Sequence, residues 1–141
     1  ETFIELTKGY KPPEHLKLLF ESLCSSANFD PKKIKEVSLK SKEKFKDKSL
    51  DEISILLKEK NKSNLYPSRI LNLGVYLIIS NSNQFKEIKD SDKNNVISDI
   101  FTNLNLSVSK AEKDIGVYKS SIMKLKQAKE LIDELKVKSK K

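Results

Sequence analysis

Apolar residues recur at helical spacing along the whole chain. The stretch GYKPP at residues 9–13 interrupts the pattern, and Pro13 suits a first helical position because its fixed φ already matches the helix. Leu16, Leu19, Phe20, Leu23 and Cys24 then fall at i, i+3, i+4, i+7 and i+8, one apolar stripe on a helix of about three turns. Asn28-Phe29-Asp30-Pro31 stops the chain and restarts it, with Asp30 as N-cap and Pro31 in the first turn. The next helix carries few apolar residues (Ile34, Val37, Phe45) and many lysines, which predicts a solvated outer helix frayed after Ser41. Ser49 and Glu52 form a capping box that opens a helix with Ile53, Leu56 and Leu57 inward.

Residues 61–67 read as a loop, and the most apolar helix of the chain follows over residues 67–80. Its apolar residues lie on nearly every face, which predicts a central position. Gly74 in its middle costs about 1 kcal/mol against alanine, and close approach of another backbone is the expected compensation. Residues 82–92 are polar and loop-like. A helix carrying Val96, Ile97, Ile100, Phe101 and Leu104 comes next. Ser107 or Ser109 can cap the final segment, Ser109 forming a second capping box with Glu112. From there Ala111, Ile115, Tyr118, Ile122, Leu125, Ala128, Ile132 and Leu135 recur at steps of three or four, close to the 3.5-residue repeat of a coiled-coil seam. A fully helical stretch here is about 50 Å long, more than so small a domain covers. The reading is all-α: one compact domain of about six helices, with a bundle over residues 1–106 and a long amphipathic C-terminal helix over residues 107–141 that packs on the bundle and extends from it.

Composition removes most enzyme plans. The single cysteine, Cys24, excludes an intramolecular disulfide and a cysteine-cluster metal site, and the single histidine, His15, excludes two-histidine metal motifs. Three glycines leave no Gly-rich phosphate loop. His15 reads as an ordinary histidine of a first helical turn, and Cys24 as a buried, inert thiol. Asp51/Glu52 and Asp133/Glu134 are adjacent in sequence and so do not face each other on a helix. No nucleophile, base and oxyanion site come together. The chain reads as a non-enzyme with no cofactor and no metal. The apolar-rich run at residues 70–79 is half of the roughly 20 residues that a membrane-crossing helix needs. The chain opens ETFIEL, without a basic region followed by an apolar stretch. Lacking an initiator methionine, it is expected to be a fragment or a processed form.

The net charge of +8 is uneven. Residues 31–48 and 107–141 each carry +5, and the remainder carries −2. Of the 28 basic residues only Arg69 is arginine. Base-edge readout and tight phosphate forks favour the planar guanidinium, whereas lysine acts as a point charge. A lysine surface fits salt-sensitive attraction to acidic partners or anionic lipid better than sequence-specific DNA reading. Lysine with plentiful Asn, Ile and Ser is also what codon bias in an AT-rich genome produces. Tyr66, Ser68 and Arg69 form a polar cluster at the start of the most apolar helix, where Arg69 can bond carbonyls of a neighbouring helix end or pair with an acid.

These residues resemble the Thylakoid Formation family, the photosystem II biogenesis factors of cyanobacteria and chloroplasts. The similarity is strongest in Lys113-Asp114-Ile115-Gly116-Val117-Tyr118-Lys119 and Lys124-Leu125-Lys126-Gln127-Ala128-Lys129-Glu130-Leu131. Weaker anchors are FIELTKGY at residues 3–10, residues 20–24, Asp30-Pro31, and Ser68-Arg69 followed by Gly74. Pro67 separates Tyr66 from Ser68-Arg69, where the family usually has Tyr directly before Ser-Arg, and by this resemblance the sequence is expected to start downstream of the family's N-terminal helical segment. The resemblance implies an all-helical, peripheral thylakoid protein on the cytoplasmic or stromal side, without catalytic residues or cofactor. It also implies partners: the membrane-anchored FtsH protease and photosystem II assembly components.

The leading expectation is an auxiliary interaction protein whose C-terminal helix offers Tyr118, Lys119, Lys126, Lys129 and Lys136 to a protein or to anionic thylakoid membrane, with Arg69 as a further candidate contact. The alternative is a basic helical nucleic-acid-binding protein, against which stand the near-absence of arginine and the lack of a reader motif, so no specific nucleic acid is expected. A coiled-coil homodimer through the terminal seam is a third reading.

Overall fold

Ser68 adopts an extended backbone, and its hydroxyl accepts the Leu71 N–H at 3.2 Å. That bond satisfies one of the orphan donors of a helix start, and it begins the helix around which the protein is built. The structure, a computed structural model, describes residues 2–9, 12–60 and 67–138, with the backbone alone at residues 60, 137 and 138. Among the described residues there are eight helices and no strand: α1 (Thr2–Leu6), α2 (His15–Ser26), α3 (Pro31–Lys46), α4 (Leu50–Lys60), α5 (Arg69–Asn81), α6 (Asn83–Glu87), α7 (Asp90–Asn103) and α8 (Val108–Lys138). The count exceeds the six read from the sequence.

α5 is central as its pattern predicts, packing on α1, α3, α6 and α8. Leu73 and Ile79 from α5 join Ile53 and Phe101 among the most deeply buried side chains, and Phe45, Leu50, Val75, Phe85, Ile97, Ile100, Leu104, Leu106, Ala111 and Ile115 belong to the same contiguous core. Each such large apolar side chain contributes about 1.5–3 kcal/mol on burial. Beside Gly74 the near neighbour is a side chain: a methyl group there would lie 3.4 Å from Thr2 Oγ1 of α1.

Caps at Asp30 and Ser49 match the sequence. Asp30 accepts the Lys32 N–H at 2.9 Å, and the Ser49–Glu52 box closes with Ser49 N–H on Glu52 Oε2 at 3.0 Å and Glu52 N–H on Ser49 Oγ at 3.2 Å. Several boundaries differ. Pro13 and Glu14 form a turn before α2 instead of its first residues, and α5 starts at Arg69, two residues after Pro67. α3 does not fray at Ser41, because Phe45 in its last turn is buried in the core. Ser107 caps α8, its hydroxyl accepting the Lys110 N–H at 3.4 Å, while Ser109 lies inside the helix. The polar stretch at 82–92 contains α6 and the start of α7. Tertiary bonds hold it: Ser82 Oγ donates to the Lys48 carbonyl at 3.4 Å, the Leu50 N–H donates to Gln84 Oε1 at 2.7 Å, and Phe85 enters the core. Of the loop expected at residues 61–67, residues 61–66, Tyr66 included, lie outside the described residues, as do residues 139–141.

The stripe on α2 is buried only in part. Cys24 is enclosed and Leu16 and Phe20 are half-buried, but Leu19 and Leu23 face solvent. α8, about 45 Å long, divides likewise. Ala111 and Ile115 are buried, Tyr118 and Ile122 are half-buried, and every described side chain from Met123 to Lys136 is exposed, including Leu131 at 61% and Leu135 at 65%. The seam read from the sequence thus packs on the bundle over its first half and projects over its second.

Candidate partner-binding face of α8

The seating of α8 depends on a polar network at the starts of α5 and α8. Asp114 and Tyr118 are one helical turn apart and so lie on one face. Asp114 Oδ1 accepts Arg69 Nε–H at 3.1 Å, and its Oδ2 accepts Asn72 Nδ2–H at 2.9 Å. Asn72 is 5% exposed, so its amide depends on that carboxylate. Arg69, with its side chain 61% exposed, keeps the outer edge of the guanidinium toward water. Pro67, Ser68, Arg69, Ser107, Lys110, Lys113 and Asp114 border a polar cleft of about 240 Å³.

One turn along, the Tyr118 hydroxyl donates to Glu5 Oε2 of α1, and the Lys8 ammonium binds the same oxygen. Partial burial pushes the Glu5 carboxyl up, but those two hydrogen bonds together with the charges of Lys8 and Lys42 outweigh it and hold the group below the usual carboxylate range. The Tyr118 ring meets Tyr76 of α5 edge-on at 6.2 Å, and Lys119 Nζ stands 5.4 Å over the Tyr76 ring. Burial raises the Tyr76 hydroxyl above its ordinary value, against the opposing charge of Lys93. Gly9, at φ +82°, closes this corner: a methyl group there would lie 2.5 Å from Leu125 Cδ2. The turn after α1 therefore grips α8 just where its burial ends.

The six residues singled out from the sequence fall into two groups. Arg69, Tyr118 and Lys119 sit in the network that seats α8 on α5 and α1. Lys126, Lys129 and Lys136 lie on the exposed distal portion, Lys126 with Glu130 one turn on at 4.0 Å. The sequence reading left the partner of Arg69 open between carbonyls and an acid, and the partner is Asp114, 45 residues away. Asn72 and Glu5 were missed. The i, i+4 spacing of Asp114 and Tyr118 was the available signal, since it places a carboxylate and a phenol on the same face as the apolar seam. His15 is exposed and Cys24 buried. Among the described residues no three His, Cys, Asp or Glu side chains are grouped to hold a metal, and no helix is long and apolar enough to cross a membrane.

An all-helical bundle, a carboxylate that ties two helix starts together and a long helix continuing past its support define the class: a helical protein with an extended, lysine-bearing arm. The chain belongs to the thylakoid formation protein family, whose model matches residues 1–141. It is 70% identical over 141 residues to protein Thf1 of Prochlorococcus marinus subsp. pastoris (strain CCMP1986 / NIES-2087 / MED4), covering 100% of this chain and 70% of that protein. Protein Thf1 of Prochlorococcus marinus (strain MIT 9312) is 65% identical over the same span, with the same coverage. In fold, the chain is similar to the solved structure of Psb29, with a TM-score of 0.68 at 21% identity, covering 99% of this chain and 70% of that one. Membership associates the chain with thylakoid formation.

Proposed function

We propose that this protein is a non-catalytic auxiliary factor of photosystem II biogenesis and repair, held peripherally at the cytoplasmic or stromal face of the thylakoid, and that it acts by binding and supporting the membrane-anchored FtsH protease. One observation carries the reading beyond family membership: α8 continues past Ile122 with lysines and apolar residues exposed together. An exposed helix with both kinds of residue has what a protein interface needs, an apolar centre and a charged rim. Lys126, Lys129 and Lys136 supply the charge, and Leu131 and Leu135 the apolar area. Lysines close to an anionic membrane surface add about 1 kcal/mol each, which favours contact beside the bilayer where the protease is anchored. Arg69, Tyr118 and Lys119 fix the direction in which the arm projects, and the outer edge of Arg69 remains open to a partner carboxylate.

The test is affinity recovery from solubilised thylakoids with this chain as bait, set beside the triple substitution Lys126→Gln, Lys129→Gln, Lys136→Gln. These side chains are exposed, so helix content by circular dichroism should be unchanged. The protease and photosystem II subunits should be enriched by the parent chain and lost with the triple variant. Equal recovery by both would refute the assignment of binding to the arm.

A further inference from the structure

A large concavity lies between α1, α2 and α3, and adjoins α8 at Gly9, which faces Leu125. It is a groove of about 670 Å³ with Phe3, Ile4, Leu16, Phe20, Ile34 and Leu39 along it. Phe3 and Phe20, both on its lining, pack against each other with tilted rings 5.2 Å apart. Ile4 and Leu39 at its edges are 61% and 66% exposed, so the fold leaves much of this apolar surface in water. Exposed apolar residues that adjoin one another in a groove are the kind of surface found at interaction sites.

The charge around the groove is of one sign. Lys8, Lys17 and Lys35 line it, and no carboxylate does so among the described residues. Lys8 is neutralised by Glu5, but neither Lys17 nor Lys35 is paired with a carboxylate among the described residues. Lys35 Nζ stands 5.3 Å over the Phe20 ring, which places a cation over the apolar lining. The apolar surface also runs beyond the groove. Leu19 and Leu23, on the same stripe of α2 as Leu16, are exposed, and the stripe from Leu16 to Leu23 is about 10 Å long. An elongated apolar face walled by helices fits another helix lying along it. The chain's own projecting arm is a poor match, because Lys129 and Lys136 are one-turn neighbours of Ile132 on its apolar stripe and would meet the groove lysines.

We infer that the α1–α2–α3 groove is a second docking surface, and that its occupant is an amphipathic helix of a partner protein with acidic residues flanking its apolar face. Leucines of that helix would seat over Phe3, Leu16 and Phe20, and its carboxylates would pair with Lys17 and Lys35. The inference stands apart from the assignment of protease binding to α8.

Its test uses three labelled probes against the full 141-residue chain: a synthetic helix with leucines at i, i+3, i+4 and i+7 flanked by glutamates, the same helix flanked by lysines, and phosphatidylglycerol vesicles. The glutamate-flanked helix should bind saturably, and both Leu39→Asp and the pair Lys17→Glu, Lys35→Glu should weaken it by about tenfold or more. Positions 17, 35 and 39 are exposed, and circular dichroism should show unchanged helix content. The α8 triple glutamine variant should bind this probe like the parent, and Leu39→Asp should still recover the protease, which separates the two surfaces. Equal affinity for the lysine-flanked helix, binding insensitive to Leu39→Asp, or absence of saturable binding would overturn the inference. Vesicle binding lost in Leu39→Asp without peptide binding would overturn it in favour of a lipid site.

Discussion

Replacing Asp114 by alanine separates the seating of α8 from its surface chemistry. The substitution removes two hydrogen bonds of very different worth. The Arg69 bond is made by a side chain largely in water, and such pairs contribute about 0–1 kcal/mol. The Asn72 bond is made by an almost fully buried amide, and a buried donor left without a partner costs about 1–3 kcal/mol. Alanine recovers about half a kcal/mol of helix propensity. The net expectation is a loss of about 2 kcal/mol for Asp114→Ala and under about 1 kcal/mol for Arg69→Ala. At this chain length 1 kcal/mol corresponds to about 3 °C in Tm, so the two variants should melt about 6 °C and at most about 3 °C below the parent. Asp114→Asn keeps an oxygen to accept from Asn72 and should fall between them. Urea unfolding followed at the helical circular dichroism band measures all three. If Arg69→Ala cost as much as Asp114→Ala, or if Asp114→Ala were neutral, the carboxylate would not be the joint between α5 and α8.

The glycines on either side of the α8 contact should respond oppositely. Gly9→Ala meets both a positive φ and Leu125, and should cost about 1–2 kcal/mol in urea unfolding. Gly116→Ala, in a helix interior with open space around it, should gain about 0.5–1 kcal/mol, and a loss there would contradict the packing described. Glu5 gives a pH signature. Its carboxyl is held below the ordinary value of 4.5 in the folded chain, so its contribution is full above that value and is lost as pH falls through the lower folded-state pKa. The stability gap between the parent and Glu5→Gln should therefore be level near neutral pH and close in acid; a gap that widens below pH 4.5 would refute the hydrogen bonds assigned to Glu5.

What was legible in the sequence was local. Asp30, and Ser49 with Glu52, announce helix starts because the bonds they make close within three residues. The α7 stripe of Ile97, Ile100 and Phe101 and the seam of α8 follow from period alone, and the length of α8 made its projection foreseeable. α1 and α6 were not legible. Each is five residues long and far below what sustains a helix in water. α1 is held by Glu5 on Tyr118 and Phe3 on Phe20, and α6 by Phe85 in the core and Gln84 on the Leu50 N–H. Such contacts depend on residues 17 to 113 positions away and leave no periodic trace. The α2 stripe misled in the other direction: Leu19 and Leu23 fit a helical face, but period does not say whether the fold covers that face. At the candidate site, Arg69 was conspicuous as the lone arginine, whereas its partner among twenty acidic residues was not.

Hydrogen exchange along α8 tests the central claim most directly, measured on the free chain and again with FtsH complex purified from thylakoids. In the free chain, amides at 108–122 should exchange slowly and those at 123–136 much faster, following the boundary at which burial ends. Adding the protease complex should slow exchange in 123–136. Exchange there that stays as fast with saturating protease as without it, or slowing confined to other helices, would contradict the account.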